Sequence, residues 1–147
     1  MIAVGYLLDT NVVSESIKPL PEPRVSRWLD EVDEGLVFLS VATVAEIQFG
    51  IERMPEGRRR AGVAAWLADE LVPRFEDRLL PIDRQVAELW GVMMARGHRA
   101  RTGLDAMDAF FAATAEARGL TLATRNVRHF ASLGIALLDP WSGESST

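Results

Sequence analysis

Between Ile2 and Leu8 the chain carries no charge, and this apolar run stops at Asp9, the first acid in the sequence. Past Asp9-Thr10-Asn11, a helix-like pattern takes over at Val12-Val13-Ser14-Glu15. A buried strand that ends in a carboxylate and turns straight into a helix fixes that carboxylate at the C-terminal edge of a sheet. In open α/β folds that edge is where ligands bind. Fold and function then depend on whether other strand ends return to the same edge.

Three later segments do so. Pro19, Pro21 and Pro23 mark a loop, and Pro23 suits the start of a second helix with Val25, Trp28, Leu29 and Val32 at helical spacing. Leu36-Val37-Phe38-Leu39 has the length and composition of a buried strand. Ser40 and Thr43 lead into a helix carrying Val44, Ile47, Ile51 and Met54, stopped by Pro55 and Gly57. Another helix is expected over 58–71, ended by Pro73. Residues 78–82 read as a short strand that Pro81 assigns to a sheet edge. Asp83 then caps a helix to about Ala95, and 97–103 reads as a basic, glycine-containing loop. Asp105 opens a helix through Arg118 that Gly119 closes. Leu120 to Thr124 is a strand, 126–133 a short helix, and 135–138 the last strand.

Short strands alternating with helices predict an α/β fold in three layers (α/β/α), with a mainly parallel central sheet of about five short strands. One domain is expected over residues 1–141, with 142–147, small and polar, as a flexible C-terminal tail.

With 48% hydrophobic and 25% charged residues, the composition is that of an ordinary globular domain rather than a disordered chain. No apolar run approaches the ~20 residues of a membrane span. The N-terminal run has no basic region ahead of it, so no signal peptide is expected. The absence of cysteine removes disulfides, thiolate–zinc sites and thiol nucleophiles, and suits a cytoplasmic protein. A net charge of −5 opposes a general nucleic-acid coat. It leaves room for a nuclease, whose acidic site can sit beside a local basic rim.

The polar residues at the predicted strand ends and first helical turns are Asp9, Glu46, Asp108 and the Thr124-Arg125-Asn126 corner. Convergent carboxylates repel one another unless a cation lies between them. An all-oxygen donor set favours a hard ion, Mg²⁺ or Mn²⁺. Such an ion lowers the pKa of bound water and neutralises phosphate charge, the chemistry of a phosphodiesterase. Each acid also has a purely structural reading. Thr43-Val44-Ala45-Glu46 has the form of a capping box, Asp105 and Asp108 suit a helix start, and Asp9 suits a turn.

The strings themselves resemble a known family. Leu7-Leu8-Asp9-Thr10-Asn11-Val12-Val13-Ser14-Glu15 is similar to the opening motif of PIN-domain proteins, especially VapC- and FitB-type toxins of bacterial type II toxin–antitoxin pairs. Thr43 to Glu46, Met107 to Ala115 and Leu122 to Phe130 resemble the second, third and fourth motifs, and Asp139-Pro140-Trp141 resembles the close of the FitB-like branch.

The resemblance implies a PIN-like nuclease domain in which Asp9, Glu46 and Asp108 hold Mg²⁺ or Mn²⁺. Asn126 stands at a fourth position that is often acidic in the wider family. It would orient water, and the lower charge weakens the case for a second metal. Thr10, Asn11, Thr124, Arg125 and Asp105 become candidates for substrate contact or ligand support, with Asp105 read foremost as the helix cap. The implied activity is endoribonuclease, leaving 5′-phosphate and 3′-OH ends. The implied partners are a small cognate antitoxin, a second copy in a homodimer, and DNA only indirectly, through the antitoxin.

His98 and His129 lack partners at metal-ligand spacing. Arg96, Arg99 and Arg101 read as a solvated basic loop or, more sharply, a phosphate-contacting rim. Trp90, Met93 and Met94 read as core, with a dimer face as the alternative. Two competing functions are a non-catalytic PIN scaffold within a DNA-binding regulatory complex, and a phosphatase of small phosphates. The lack of a glycine-rich phosphate loop opposes the latter.

Overall fold

The computed structural model describes residues 5–146. Its first strand, β1, is Tyr6–Leu8, and the part of the expected strand at 2–4 lies outside the described residues. Then follow α1 (Thr10–Glu15), α2 (Pro23–Glu31), β2 (Val37–Ser40), α3 (Val41–Arg53) and α4 (Arg58–Ala65). A π-helical segment, Trp66–Leu71, leads into a short α5 (Val72–Arg74) and β3 (Leu79–Leu80). The chain continues through α6 (Arg84–Ala100), α7 (Ala106–Arg118), β4 (Thr121–Ala123), α8 (Val127–Phe130), β5 (Leu137–Leu138) and β6 (Ser145–Ser146).

The strands form one sheet in the order β3-β2-β1-β4-β5-β6. The first five are mutually parallel, as expected, and β6 joins antiparallel to β5. Alternation along β1 divides the core in two. Leu7 faces a layer with Met93 of α6, Phe111 and Ala112 of α7, and Phe130 of α8. Leu8 faces the opposite layer, with Val12 and Val13 of α1, Val25 of α2, Ile47 and Ile51 of α3, and Leu67. A strand buried on both faces has no polar side, which is why the runs read as continuously apolar. Trp90, Met93 and Met94 belong to the first layer, with Trp90 stacked on Phe110 at 5.3 Å and donating to the Ala106 carbonyl.

Three expectations are corrected. The cap of α3 is Ser40, whose hydroxyl accepts the Ala42 N–H at 2.9 Å, so Thr43 lies inside the helix, fully buried. Glu46 is then beyond the first turn and takes no part in a capping box. The helix expected to stop near Ala95 runs on to Ala100, and the basic residues Arg96 and Arg99 ride on it rather than on a loop. It passes through Gly97 because a Cβ there would come within 3.0 Å of Leu104, so the glycine permits close packing instead of ending the helix. Past β5 the chain turns at Asp139–Gly143, with Gly143 N–H donating to Asp139 O at 2.7 Å, and pairs as β6.

Asp105 caps α7 and Gly119 closes it at φ 65°, both as the sequence predicts. No helix among the described residues is long and apolar enough to cross a membrane.

Candidate functional site

Parallel register builds the centre of the site. Leu8 of β1 pairs with Ala123 of β4, so the next residues, Asp9 and Thr124, stand side by side at the C-terminal edge of the sheet. Asp9 extends the ladder by donating its N–H to Ala123 O at 2.9 Å. The residue is only 5% exposed. It accepts hydrogen bonds from Thr10 N–H (2.7 Å), Thr124 Oγ1 (2.7 Å) and, more loosely, Asn11 Nδ2 (3.3 Å). Thr124 is itself fully buried and accepts the Asn126 N–H at 3.0 Å. One hydroxyl thus ties the Asp9 carboxylate to the backbone of the fourth motif.

Glu46 arrives from α3, half-buried. Its Oε1 lies 2.6 Å from Thr10 Oγ1, which is also 3.1 Å from Thr43 Oγ1. A hydroxyl has one proton. Thr10 gives it to the carboxylate and accepts from Thr43, so the buried Thr43 holds Thr10 and Thr10 holds Glu46. Asp108 arrives from the first turn of α7, its N–H capped by the Asp105 carboxylate at 2.8 Å. On its other side, Asp108 Oδ2 stands 3.6 Å from His129 Nδ1.

The charges of these acids act on one another. Burial pushes the Asp9 carboxyl above the usual range, against the lowering effect of its hydrogen bonds from Thr124 and Thr10, while the charges of Glu46 and Asp105 push it further up. Asp108 rises to about 6, again through burial first, then through the charges of Asp105 and Asp9; His129 opposes the rise and Glu46 adds to it. Four acids are therefore within electrostatic reach of one another, with few cations to offset them. Among the described residues, no three acidic or histidine side chains are already gathered tightly enough to share one ion.

The raised Asp108 carboxyl gives a pH test in metal-free buffer. Folded Asp108 keeps its proton up to about pH 6, whereas the unfolded chain releases it near ~3.9. Folding binds the extra proton only in that window, so stability should fall as pH rises from about 4 to 6 and level off above. About 1–2 kcal/mol is expected from this group, allowing for solvent screening at a half-buried site. Asp108→Asn should flatten that part of the curve. An equal slope in both proteins would show that Asp108 titrates normally.

The structure thus places Asp9, Thr10, Asn11, Glu46 and Thr124 in one hydrogen-bonded group, with Asp105 and Asp108 facing it electrostatically. Asn126 enters through its backbone; its side chain is exposed and caps nothing. Arg125 is exposed beside them, its N–H donating to Asn11 Oδ1 at 3.4 Å. Two participants escaped the sequence reading. In sequence terms Thr43 has the form of a cap, and His129 stands without a partner at metal-ligand spacing. The signal for His129 was its place three residues past Asn126, one helical turn along from the strand-end corner.

Comparison with known proteins identifies the family and the fold. The family model described as PIN domain matches residues 6–135. The toxin FitB of Neisseria gonorrhoeae is 36% identical over 135 residues, spanning 92% of this chain and 97% of the relative. A VapC ribonuclease of Sinorhizobium fredii is also 36% identical over 135 residues, covering 92% of this chain and 96% of its own. The solved structure of FitAB bound to a DNA fragment superposes with a TM-score of 0.86 at 34% identity, over 92% of this chain and 95% of that one.

Proposed function

Because this chain belongs to the PIN-domain family, we propose that it is an endoribonuclease, the toxin of a toxin–antitoxin pair, acting with a divalent metal. The observation that carries the reading is the buried Asp9 carboxylate, held by Thr124 and Thr10, with Glu46 and Asp105 close enough that their charges add to the effect of burial in raising both Asp9 and Asp108. A site built for structure alone would pair those carboxylates with cations. Here they repel, at the sheet edge where ligands collect.

The donor set fits Mg²⁺ or Mn²⁺, being all oxygen and acidic. Asp9, Glu46 and Asp108 would hold the ion, which when bound supplies an acidified water and neutralises charge on the scissile phosphate. The chain's own residues do the rest. Thr124 fixes the Asp9 carboxylate plane, and the Thr43–Thr10 relay fixes that of Glu46. Asn126, exposed beside Thr124, is placed to hydrogen-bond a water or a phosphate oxygen. Arg125 offers a cation to the RNA backbone. Hydrolysis by water leaves a 5′-phosphate and a 3′-OH.

The likeness to FitB and to FitAB on DNA supports a small antitoxin as partner, with DNA contacted through that partner, and we extend the proposal to a homodimer of this chain. A cation from the antitoxin would complement the four acids.

The test is cleavage of a structured RNA pool by the full chain with Mg²⁺, with Mn²⁺ and with EDTA, beside Asp108→Ala. Cutting that requires metal and disappears in the variant is the expected result. A folded, antitoxin-free protein that cuts under no condition would turn the reading to a non-catalytic scaffold in a regulatory complex.

A further inference from the structure

Next to the acidic centre lies a second, chemically different cleft that shares only Arg125 with the cleavage site. Its back wall is Trp141, with the Arg125 guanidinium over the indole at 5.2 Å. Its other wall is the α1–α2 connection, where Lys18, Leu20 and Pro21 line the opening. Arg125 directly follows Thr124, the residue that holds Asp9, so the cleft begins one residue from the centre.

Three observations mark the cleft as built. First, the Trp141 backbone is held from two sides, its amide N–H donating to Asp139 Oδ1 at 2.8 Å and its carbonyl accepting from Arg24 Nη1 at 3.1 Å, while its side chain packs against the core layer of Val12, Val13 and Val25. Second, the connection is strapped to the end of α1 by Glu15. That buried carboxylate accepts from Lys18 Nζ at 2.8 Å and from the Glu22 N–H at 2.9 Å. These bonds hold its carboxyl below the usual range, and the Arg125 charge adds to the effect. Third, Leu20 stands 90% exposed at the lip, an aliphatic side chain with no covering partner among the described residues.

A planar cation stacked on an indole and an uncovered aliphatic lip make a surface for a flat, uncharged ring attached to a phosphate. We propose that this cleft is a base-stacking subsite, where one unpaired nucleobase of the RNA packs on the Arg125–Trp141 pair beside the scissile phosphate. Unpaired bases stack on aromatic rings and on guanidinium planes alike. The subsite would make cutting depend on an unstacked base at a fixed distance from the cut, favouring loops and single strands over duplex. The inference rests on the ribonuclease reading above.

The experiment uses the full chain and a single-stranded RNA that it cuts once, scanned with abasic nucleotides. In the parent, one abasic position near the cut should lower kcat/KM by roughly tenfold, the scale of one lost base–aromatic stack. In Trp141→Ala and in Arg125→Lys that penalty should vanish, with the intact substrate already cut at the reduced rate. Trp141→Phe, which keeps a ring, should restore both the rate and the penalty. Arg125→Lys keeps the charge, so the salt dependence should be unchanged while stacking is lost. An abasic penalty that persists in both Trp141→Ala and Arg125→Lys overturns the subsite while leaving the nuclease intact. If those variants instead only weaken inhibition by the antitoxin, the cleft belongs to the protein partner and the subsite is likewise overturned. A parent that cuts no RNA defeats the function itself, and the subsite with it.

Discussion

Asp9→Asn should cost roughly a hundred- to a thousandfold in RNA cleavage, the loss typical when one electrostatic stabiliser is taken from a catalytic site. The fold should survive. The side chain is nearly isosteric, and its oxygen can still accept the Thr10 N–H that now lies 2.7 Å from the carboxylate. The new amide can donate to Thr124 Oγ1, since a hydroxyl rotates to accept as readily as to donate. The loose contact from Asn11, at 3.3 Å, is the bond given up.

The substitution also removes a buried charge whose carboxyl is pushed up by burial and by its acidic neighbours. A carboxyl raised in this way disfavours the folded state once ionised, so the melting temperature of the metal-free variant at neutral pH should rise. Adding Mg²⁺ should raise the melting temperature of the parent and leave the variant unmoved, because a ligand stabilises only the form that binds it. Cleavage at the parental rate would remove Asp9 from the chemistry. A melting temperature that responds to Mg²⁺ equally in both proteins would remove it from the metal site.

The second large effect lies in the core. Phe111→Ala should destabilise the protein by about 3–5 kcal/mol, the usual cost of truncating a buried aromatic side chain. The ring is 1% exposed and packs in the layer with Leu7, Met93, Leu122 and Phe130, so no solvent-facing rearrangement can fill the hole. Against a typical total of about 5–15 kcal/mol, that is a large share. The melting temperature should drop by roughly 10 °C for a chain of this length. The helix that carries this ring also carries Asp108, so activity should fall with the folded fraction and recover on cooling. A loss under about 1 kcal/mol would mean that α7 is anchored by something other than this ring.

Sequence order made the centre of the site legible, because the register of parallel strands turns residues that follow strands into spatial neighbours. Asp9 and Thr124 could be assigned to one sheet edge from their positions after strands, while their adjacency needs the β1–β4 pairing that only the strand order gives. Asp105 and Gly119 bounded α7 correctly because capping is a local effect, decided by a few adjacent residues. What failed was decided by tertiary contact. Ser40 and Thr43 are both good caps in sequence terms; the choice fell to Ser40 because Thr43 is needed, buried, against Thr10. Gly97 read as a break, and only the approach of Leu104 shows why a helix would keep a glycine there. The pairing of β6 was invisible because serines have little preference for strands, and their partner in β5 is set by the turn after Asp139.

That last pairing bears on how this protein keeps company with itself. An open sheet invites further strands at each border. Here β6 covers one border of the five parallel strands with a hairpin of its own. At the other, β3 is two residues long and is followed by Pro81, which has no N–H to offer a newcomer. Neither border is a template for growth, so the sheet offers copies of this chain no edge along which to add strand to strand.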